Sequence, residues 1–493
     1  MNTLLRKSNK PAKPSARKPG APGAWSVPST RLWVSILFIV LVFVMGGGAR
    51  ADLQSLVLLR PISVLFLLYA CAICTVQDLQ SIKWPLIMLA SLAGWIAIQL
   101  IPLPPELWRS LPGRQITVDI ENAIGMQPVW RPISMSPVKT LNSLMSLIVP
   151  MAMLLLYSIQ SDTDRQRLWY VFGALIAMSG LLGLLQIAGP DKGPLYFYRI
   201  TNSGSPVGLF ANRNHQAVVL AFLLPIATLF ILARSRRQPG AESRGIGLTI
   251  ILALAMVIVP LLLLTGSRAG LMAGALALVA AIAIFRIATT NAGKRAEKSE
   301  RTGWRFWAPI IVGAALPVTV ALAIYFERAM ALDRLLGDDP QGGIRTRVLP
   351  VLGQMIEHFF PIGAGFGSFE HVYRQFEPYD LLSEFYLNQA HNDLAQALIE
   401  GGLPMMILLA AAGAWLFSIG KSMLAGFRAG HGRPAEEMVA LSIVVIFGVA
   451  SLADYPLRVP SAMVLFAYCC AVLSVGAARP HNRTGRALVR MTS

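Results

Sequence analysis

The amino-acid sequence predicts an all-α, polytopic membrane protein. Of its 493 residues, 55% are hydrophobic and only 14% are charged, and the mean hydropathy is +0.58. A soluble globular chain of this length carries more charge. The hydrophobic residues also fall into separate runs of about 17 to 25 residues, the length that a bilayer core requires. Such runs form helices because a lipid-facing backbone must satisfy its own hydrogen bonds.

About twelve such runs divide the chain and predict its organisation. A basic tail at 1–31 precedes spans 1 to 9 within 32–326, and a large polar loop at 327–402 separates them from spans 10 to 12 within 403–477 and a tail at 478–493. The composition of the first tail, rich in Pro, Lys and Ser, is typical of a disordered segment that contacts anionic lipid. The runs lie near 32–48, 55–75, 84–102, 140–159, 168–188, 215–233, 246–264, 269–288, 307–326, 403–420, 437–453 and 459–477.

The basic residues predict the orientation of these spans. An even number of spans places both termini on one side, and most of the Lys and Arg behind the net charge of +18 fall on segments of that side. Because positive residues are retained in the cytoplasm, we expect cytoplasmic termini and an outward-facing 327–402 loop. The charge thus reflects topology, and no nucleic-acid-binding motif accompanies it, so nucleic acid is not an expected partner.

The end of the first span allows two interpretations. The stretch GGGARA at 46–51 contains an A-x-A pattern that resembles a signal-peptidase site, and cleavage after Ala51 would remove the first span. The charged region before this span is longer than that of a usual signal peptide, which favours an uncleaved anchor. The topology downstream is the same in both cases.

Polar residues gather where spans begin on the outer side. The segment GLFANRNH at 208–215 brings Arg213 and His215 to the start of the sixth span. These residues either belong to a site or lie in a cap where an asparagine only starts the helix. In the tight turn TGSRAG at 265–270, Arg268 either anchors a helix end or binds an anion. Its position against the positive-inside bias favours the anion.

The large loop contains the other candidates. Arg345 and Arg347 precede a helix-like run that stops at Pro361, and the GAGFG turn that follows lacks the strand and βαβ context of a dinucleotide fingerprint. The loop ends in QAHNDLAQALIEGG at 389–402, in which helical spacing places Asp393, Gln396 and Glu400 on one side. A lone histidine is usually structural or solvated, but His391 lies at the membrane surface and an imidazole can accept a proton near neutral pH.

These motifs, taken in order, resemble those of the bacterial O-antigen ligase and O-antigen polymerase superfamily of integral-membrane glycosyltransferases. Together they cover most of residues 100 to 470. Two positions depart from the pattern: Arg213 stands where many members carry proline, and Val351 where tryptophan is common. The motifs are IPLPPELW at 101–108, RPISMSP at 131–137, GLFANRNH at 208–215, TGSRAG at 265–270, PIGAGFGSF at 361–369, HNDLAQALIEGG at 391–402 and DYPLRVP at 454–460.

The resemblance implies a metal-independent, inverting glycosyltransferase that needs no cofactor and has no metal site. Such an enzyme moves a glycan from undecaprenyl pyrophosphate to an acceptor hydroxyl on the periplasmic face of the bacterial inner membrane. His391 would be its general base, and Arg268, Arg347 and Arg213 would bind the donor pyrophosphate. Supporting positions would be His215, Arg345, Asn392, Asp393, Glu400, Asp454 and Arg458.

The resemblance leaves the acceptor open. A ligase of lipopolysaccharide assembly uses lipid A core, whereas a polymerase of O-antigen or exopolysaccharide assembly uses a second lipid-linked glycan; the ligase-type description is favoured, and transfer to protein also stays open. Expected partners are the lipid-linked donor, one of these acceptors, membrane lipid and other polysaccharide-assembly proteins.

Two alternatives come from other classes of protein. A transporter or flippase commonly has twelve spans, but it places ionisable residues near the bilayer midplane and shows repeated halves. In this sequence Arg60 is the ionisable residue deep in a predicted span, and the two halves differ in loop length. A purely structural partner of polysaccharide enzymes would need neither His391 nor Arg268.

Overall fold

The computed structural model describes residues 28–237, 241–290, 340–382, 387–428 and 435–478. Most of both predicted tails, the ninth predicted span at 307–326 and the start of the large loop lie outside the described residues. The described chain is mostly helical. Its two strands, β1 (Pro102–Leu103) and β2 (Arg131–Pro132), are two residues long and form one antiparallel pair.

The helices follow the hydrophobic runs and extend into the polar segments between them. In chain order they are α1 (Thr30–Met45), α2 (Gln54–Ile73), α3 (Val76–Ser81), α4 (Lys83–Ile98), α5 (Pro105–Arg109), α6 (Gln115–Ala123), α7 (Pro137–Ser146), α8 (Ile148–Ser158), α9 (Asp162–Ala188), α10 (Arg213–Ala221), α11 (Leu223–Arg237), α12 (Ala241–Thr265), α13 (Arg268–Thr290), α14 (Pro340–Phe359), α15 (Phe369–Tyr373), α16 (Asp393–Arg428), α17 (Ala435–Ala450) and α18 (Pro460–Ala478), with short 3₁₀ turns at Tyr379–Leu381 and Pro456–Arg458.

Eight helical segments among the described residues are long and apolar enough to cross a membrane. The chain is therefore a multi-pass membrane protein. Eleven of the twelve predicted spans fall on helices, but α1, α4 and α17 have 16 residues each and are shorter than the other spans. The total of twelve and the position of the large loop stay predictions.

The tenth predicted span differs most from the helix that contains it. Helix α16 begins at Asp393, ten residues before the hydrophobic run, and its backbone is non-helical at Gly402, with φ 59° and ψ −147°. A β-carbon at Gly402 would collide with the carbonyl of Pro361. Residues 393–400, in which every third or fourth residue is polar, thus form a helical piece of their own. The spacing predicted for Gln396 and Glu400 is confirmed by a hydrogen bond of 2.9 Å between their side chains.

The loops of the bundle gather at two ends. At one end the Ser29 hydroxyl donates to Asp164 Oδ2 at 2.8 Å, and the Ser474 hydroxyl donates to the carbonyl of Ser81 at 3.0 Å. This distribution agrees with the predicted alternation of loops, which would place both pairs on the side of the termini.

The opposite end, here called the site end, includes the loops near 46–53, 99–136, 189–212, 265–268, 360–392 and 451–459. The Ala211 N–H donates to the Gly47 carbonyl at 2.9 Å, the Met135 N–H to Ala364 at 2.8 Å, and the Asp393 N–H to Ser451 at 2.8 Å. Residues far apart in the chain therefore meet there.

A small hydrophobic core fixes the large loop to the site end. It is separate from the main core of the helical bundle and includes Val348, Met355 and Phe359 of α14, Phe369 of α15 and Ile399 of α16. Each of these side chains is almost completely buried. The packing holds the start of α16, and with it the predicted site residues, against the bundle.

Candidate active site

Asp454 is the centre of a polar cluster at the site end. Its carboxylate is 1% exposed and lies in a turn between two helices. Asn214 Nδ2 donates to Oδ2 at 2.7 Å, and the Tyr455 N–H donates to Oδ1 at 2.9 Å. Two imidazoles face the same Oδ1, with His391 Nδ1 at 3.3 Å and His215 Nε2 at 3.7 Å. The turn therefore joins three segments of the chain around one carboxylate.

The two imidazoles keep this carboxylate ionised. Burial by itself raises the pKa of Asp454, but the interactions with His215 and His391 outweigh burial, so its pKa lies well below the usual value. Asp454 is an anion at neutral pH. A fixed anion beside an imidazole orients the ring and stabilises the imidazolium that forms when the ring takes a proton.

His391 is held in an unusual backbone conformation and is partly accessible. Its φ is 50°, which is uncommon for a residue other than glycine. The N–H of Ala390 donates to Gln396 Oε1 at 2.8 Å, which fixes the preceding residue. The side chain of His391 is 20% exposed, whereas that of His215 is 2% exposed. Of the two histidines on Asp454, His391 is the one that a substrate can reach.

The segment around Arg213 fits both interpretations of its sequence. Asn212 caps α10, since its side chain accepts the Asn214 N–H at 2.8 Å. The next residues do more than start a helix, because Asn214 and His215 contact Asp454. Among the described residues, the ring nitrogens of His215 find no hydrogen-bond partner although they are buried. Arg213 is also buried, and its N–H donates to Asn202 Oδ1 at 3.0 Å.

A second cluster lies one turn further along the chain. Arg458 Nε donates to Asp393 Oδ1 at 2.7 Å, and its terminal nitrogens approach Glu400 Oε2 at 3.3 and 3.4 Å. Burial lowers the pKa of Arg458, but the charges of Glu400 and Asp393 outweigh burial and raise it. Glu400 is completely buried and also accepts from Gln396. This cluster fastens the start of α16 to the 3₁₀ turn.

Glu400 also holds the glycine-rich turn that follows α14. Its carbonyl accepts the Gly365 N–H and Gln99 Nε2, each at 2.9 Å. Gln99 in turn accepts the Phe366 N–H at 3.0 Å. Gly365 adopts a φ of 97°, and a β-carbon there would lie 2.6 Å from Ser134. The glycines of this turn thus allow a close approach of main chains, which places the turn beside the site.

The three predicted donor-binding arginines lie on different helices, Arg213 on α10, Arg268 on α13 and Arg347 on α14. Arg268 is the exposed first residue of α13. The hydroxyl of Ser267, just before the helix, accepts the Gly270 N–H at 3.0 Å. Arg347 is exposed on α14 and forms an ion pair with Asp380, a residue that the sequence did not single out. Arg345 lies on α14 in the part whose side chains are outside the described set. Asn392 caps α16 by accepting the Ala395 N–H at 3.0 Å.

A cavity of about 450 Å³ opens beside these clusters at the site end. Its walls come from the loop before α2 and from α2, α4, α7, the start of α16 and the start of α18. Gln389 and Asp393, two residues before and after His391, both line it, and so does Arg458. Arg268, Arg213, His215 and His391 are not among its lining residues. Within the described residues, no group of three His, Cys, Asp or Glu side chains is arranged to hold a metal ion.

Part of the chain matches a known protein family. Residues 261–410 match the family described as O-antigen ligase. This match supports the O-antigen ligase and polymerase superfamily. The resemblance predicted from the motifs is confirmed, and the matched domain supports a membrane glycosyltransferase. No curated protein matches the chain.

The O-antigen ligase domain as matched contains only part of the site. It includes Arg268, Arg347, His391 and Glu400 but ends before Asp454, and it begins after His215. The fold supplies these two residues from outside the matched stretch. The sequence placed Asp454 only among the supporting residues, and its central position became apparent from the contacts. Gln99 was not predicted at all, although a glutamine at the end of an apolar run is a signal for a buried hydrogen bond.

Proposed function

We propose that the chain transfers a glycan from undecaprenyl pyrophosphate to an acceptor hydroxyl, on the periplasmic face of the bacterial inner membrane. The 3.3 Å contact between His391 Nδ1 and Asp454 Oδ1, in a chain of this superfamily, is the observation that carries the proposal. A partly exposed imidazole on a buried, ionised carboxylate is an arrangement suited to general-base catalysis.

In the proposed reaction, the oxygen of the acceptor hydroxyl attacks the anomeric carbon while His391 takes the proton of that hydroxyl. The bond from that carbon to the pyrophosphate oxygen breaks, and its electron pair leaves with undecaprenyl pyrophosphate. One direct displacement inverts the anomeric configuration. Asp454 stabilises the imidazolium that forms on His391. His215 shares the same carboxylate and completes its enclosure.

We propose that arginines stabilise the charge that develops on the leaving pyrophosphate. Arg268 is the first candidate because it is exposed at the beginning of a helix, where main-chain N–H groups also favour anions. Arg347 would have to leave Asp380 to take part, and a pyrophosphate is a stronger attractor than an exposed carboxylate. Arg213 and Arg345 are further candidates. In this proposal the arginines act without a divalent metal, and the reaction needs no cofactor.

The superfamily contains ligases and polymerases, and the ligase-type reaction in lipopolysaccharide or exopolysaccharide assembly is our first candidate. Polymerisation onto a second lipid-linked glycan is the alternative, because both reactions use the same donor and the same base. A flippase would need neither His391 nor its contact with Asp454.

The test is transfer of labelled glycan from undecaprenyl pyrophosphate in proteoliposomes that contain the purified full chain and EDTA. Lipid A core and a second lipid-linked glycan are offered as acceptors. We expect transfer by the wild type and a loss of about 100-fold or more in His391→Ala, the effect of removing a general base. His371→Ala is the matched control, since His371 is an exposed histidine of the same polar loop.

The acceptor that is used distinguishes ligase from polymerase. Equal transfer by His391→Ala and the wild type would overturn the assignment of the base. Absence of transfer to both acceptors by the wild type would contradict the proposed reaction and make a flipping assay the next experiment.

A further inference from the structure

The cavity beside the site has two kinds of wall. Its deeper wall is apolar and is formed by side chains of four helices, among them Leu56, Leu59, Leu92, Ile96, Leu409 and Met463. Its rim is polar and carries charged residues of both signs. A cavity with this division fits an amphiphile, a molecule with a polar head and a hydrocarbon tail.

The charges at the rim are balanced in pairs. Arg50 donates twice to Asp52, at 3.0 and 3.1 Å. Lys139 Nζ lies 3.5 Å from Glu370 Oε2. Arg458, as described above, is held by Asp393 and Glu400. Each of these cations already forms an ion pair with a carboxylate, so none of them by itself indicates a site for an anionic ligand.

Arg60 differs from the other cations of the cavity. It is half-buried on α2, six residues beyond Gln54 and so about 9 Å along the helix from its start. Its Nη2 donates to the neutral Asn142 Oδ1 at 2.6 Å. Within the described part of the chain, no carboxylate forms an ion pair with it. A cation placed inside a membrane span without an opposite charge is costly, and such residues commonly mark a ligand site.

We propose that this cavity binds the phosphate-bearing lipid anchor of the acceptor, with its phosphate on Arg60 and its chains on the apolar wall. Asn142 orients the guanidinium towards the phosphate. The proposal rests on the proposed function for one point, the assignment to the acceptor. That assignment follows because the candidate donor-binding residues Arg268 and Arg213 do not line the cavity. Gln389 and Asp393, which lie on either side of His391 in the sequence, do line it.

This site gives the acceptor a path to the base. A lipid held by its phosphate at Arg60 extends its polar part along Gln389 and Asp393, which flank His391 in sequence. The donor then approaches His391 from the side of α10 and α13. Two lipid-linked substrates can thereby occupy the protein together without competing for the same groove.

Lipid binding to the purified full chain in detergent micelles tests the proposal without any transfer reaction. The probes are two matched pairs, undecaprenyl phosphate with undecaprenol and dioleoyl phosphatidic acid with dioleoylglycerol, together with inorganic phosphate. Binding is measured by native mass spectrometry. We expect the wild type to prefer each phosphate-bearing lipid over its neutral partner, and Arg60→Gln to weaken this binding about tenfold or more.

Three further variants keep the test decisive. Arg60→Lys retains the charge and should retain part of the binding, which also covers the case in which Arg60→Gln fails to fold. Leu409→Trp fills the cavity from α16 and should weaken binding of all the lipids, charged and neutral. Arg234→Gln removes an exposed helix arginine that is not among the lining residues and should leave binding unchanged.

The inference is overturned if Arg60→Gln binds the phosphate-bearing lipids as the wild type does, or if free phosphate displaces them completely. Its failure is distinguishable from failure of the proposed function. His391→Ala should bind lipid normally while losing transfer. If His391→Ala loses transfer but Arg60→Gln binds lipid normally, His391 stays the proposed base and the assignment of the cavity is rejected.

Discussion

The two polar clusters around residues 454 and 458 lie four residues apart but differ in charge balance and access. Arg458 is one cation held between the carboxylates of Asp393 and Glu400, and the cluster fixes α16 in place. Asp454 is one carboxylate between two imidazoles, one of which is partly exposed. The comparison indicates that the Arg458 cluster holds α16 in place, the role here called maintaining the frame. The Asp454 cluster is available for chemistry. The two should therefore respond differently to substitution.

The largest expected effect is on stability, in the Arg458 cluster. Arg458→Gln leaves Glu400 buried without a cation, which should lower the free energy of unfolding by about 3–5 kcal/mol. The measurement is thermal unfolding in detergent, followed by intrinsic fluorescence. Arg374→Gln is the control, because the exposed ion pair of Arg374 with Glu370 should contribute less than about 1 kcal/mol. Equal unfolding of Arg458→Gln and the wild type would show that the cluster does not maintain the frame.

A smaller effect, on activity, is expected in the Asp454 cluster. Asp454→Asn keeps the size of the side chain but removes the anion that stabilises the imidazolium of His391, so transfer should fall by about 10- to 100-fold. Initial rates in the proteoliposome assay measure this. The melting temperature should change much less than in Arg458→Gln. A variant that unfolds readily but transfers normally when folded would assign Asp454 to the frame as well.

The smallest effect is the dependence of stability on acid. The pKa of Asp454 is lowered in the folded chain from an ordinary value of 3.8, so its contribution to stability is present above about pH 4 and is lost as pH falls through the folded pKa. The difference in melting temperature between wild type and Asp454→Asn should therefore shrink as the pH is lowered below 4. A constant difference down to the lowest pH at which the protein stays soluble would contradict this assignment.

The sequence predicted the helices better than it predicted the contacts between the loops at their ends. Hydrophobic runs of membrane length identify helices because the bilayer imposes that length, and α2 and α18 lie within two residues of their predictions. The helical spacing of Asp393, Gln396 and Glu400 was predicted, but the continuity of this piece with the tenth span was not, since it is held by Arg458 rather than by lipid. The resemblance to the superfamily was also predicted correctly from short motifs.

The composition of the site was only partly predictable for a related reason. His391 could be selected from its setting, but its contact with Asp454 joins residues 63 positions apart, and Asn214 is 240 positions from the same carboxylate. A single sequence contains the residue types but not the packing that brings two loops together. Arg60 was noted as an ionisable residue in a span, yet its partner Asn142 lies on another helix and could not be named.

The break at Gly402 has a mechanical consequence. The part of α16 from Leu403 to Arg428 would be about 39 Å long as a straight helix, which exceeds a hydrocarbon core of about 30 Å. This part therefore tilts or extends beyond the core at residues 421–428, to a degree that depends on the thickness of the bilayer. Main-chain carbonyls on the near side of the break are fixed, at Gly401 by Trp95 Nε1 and at Glu400 by Gln99. We therefore expect a change of tilt to be absorbed at Gly402, so that His391 keeps its distance from Asp454 in thin and thick membranes alike.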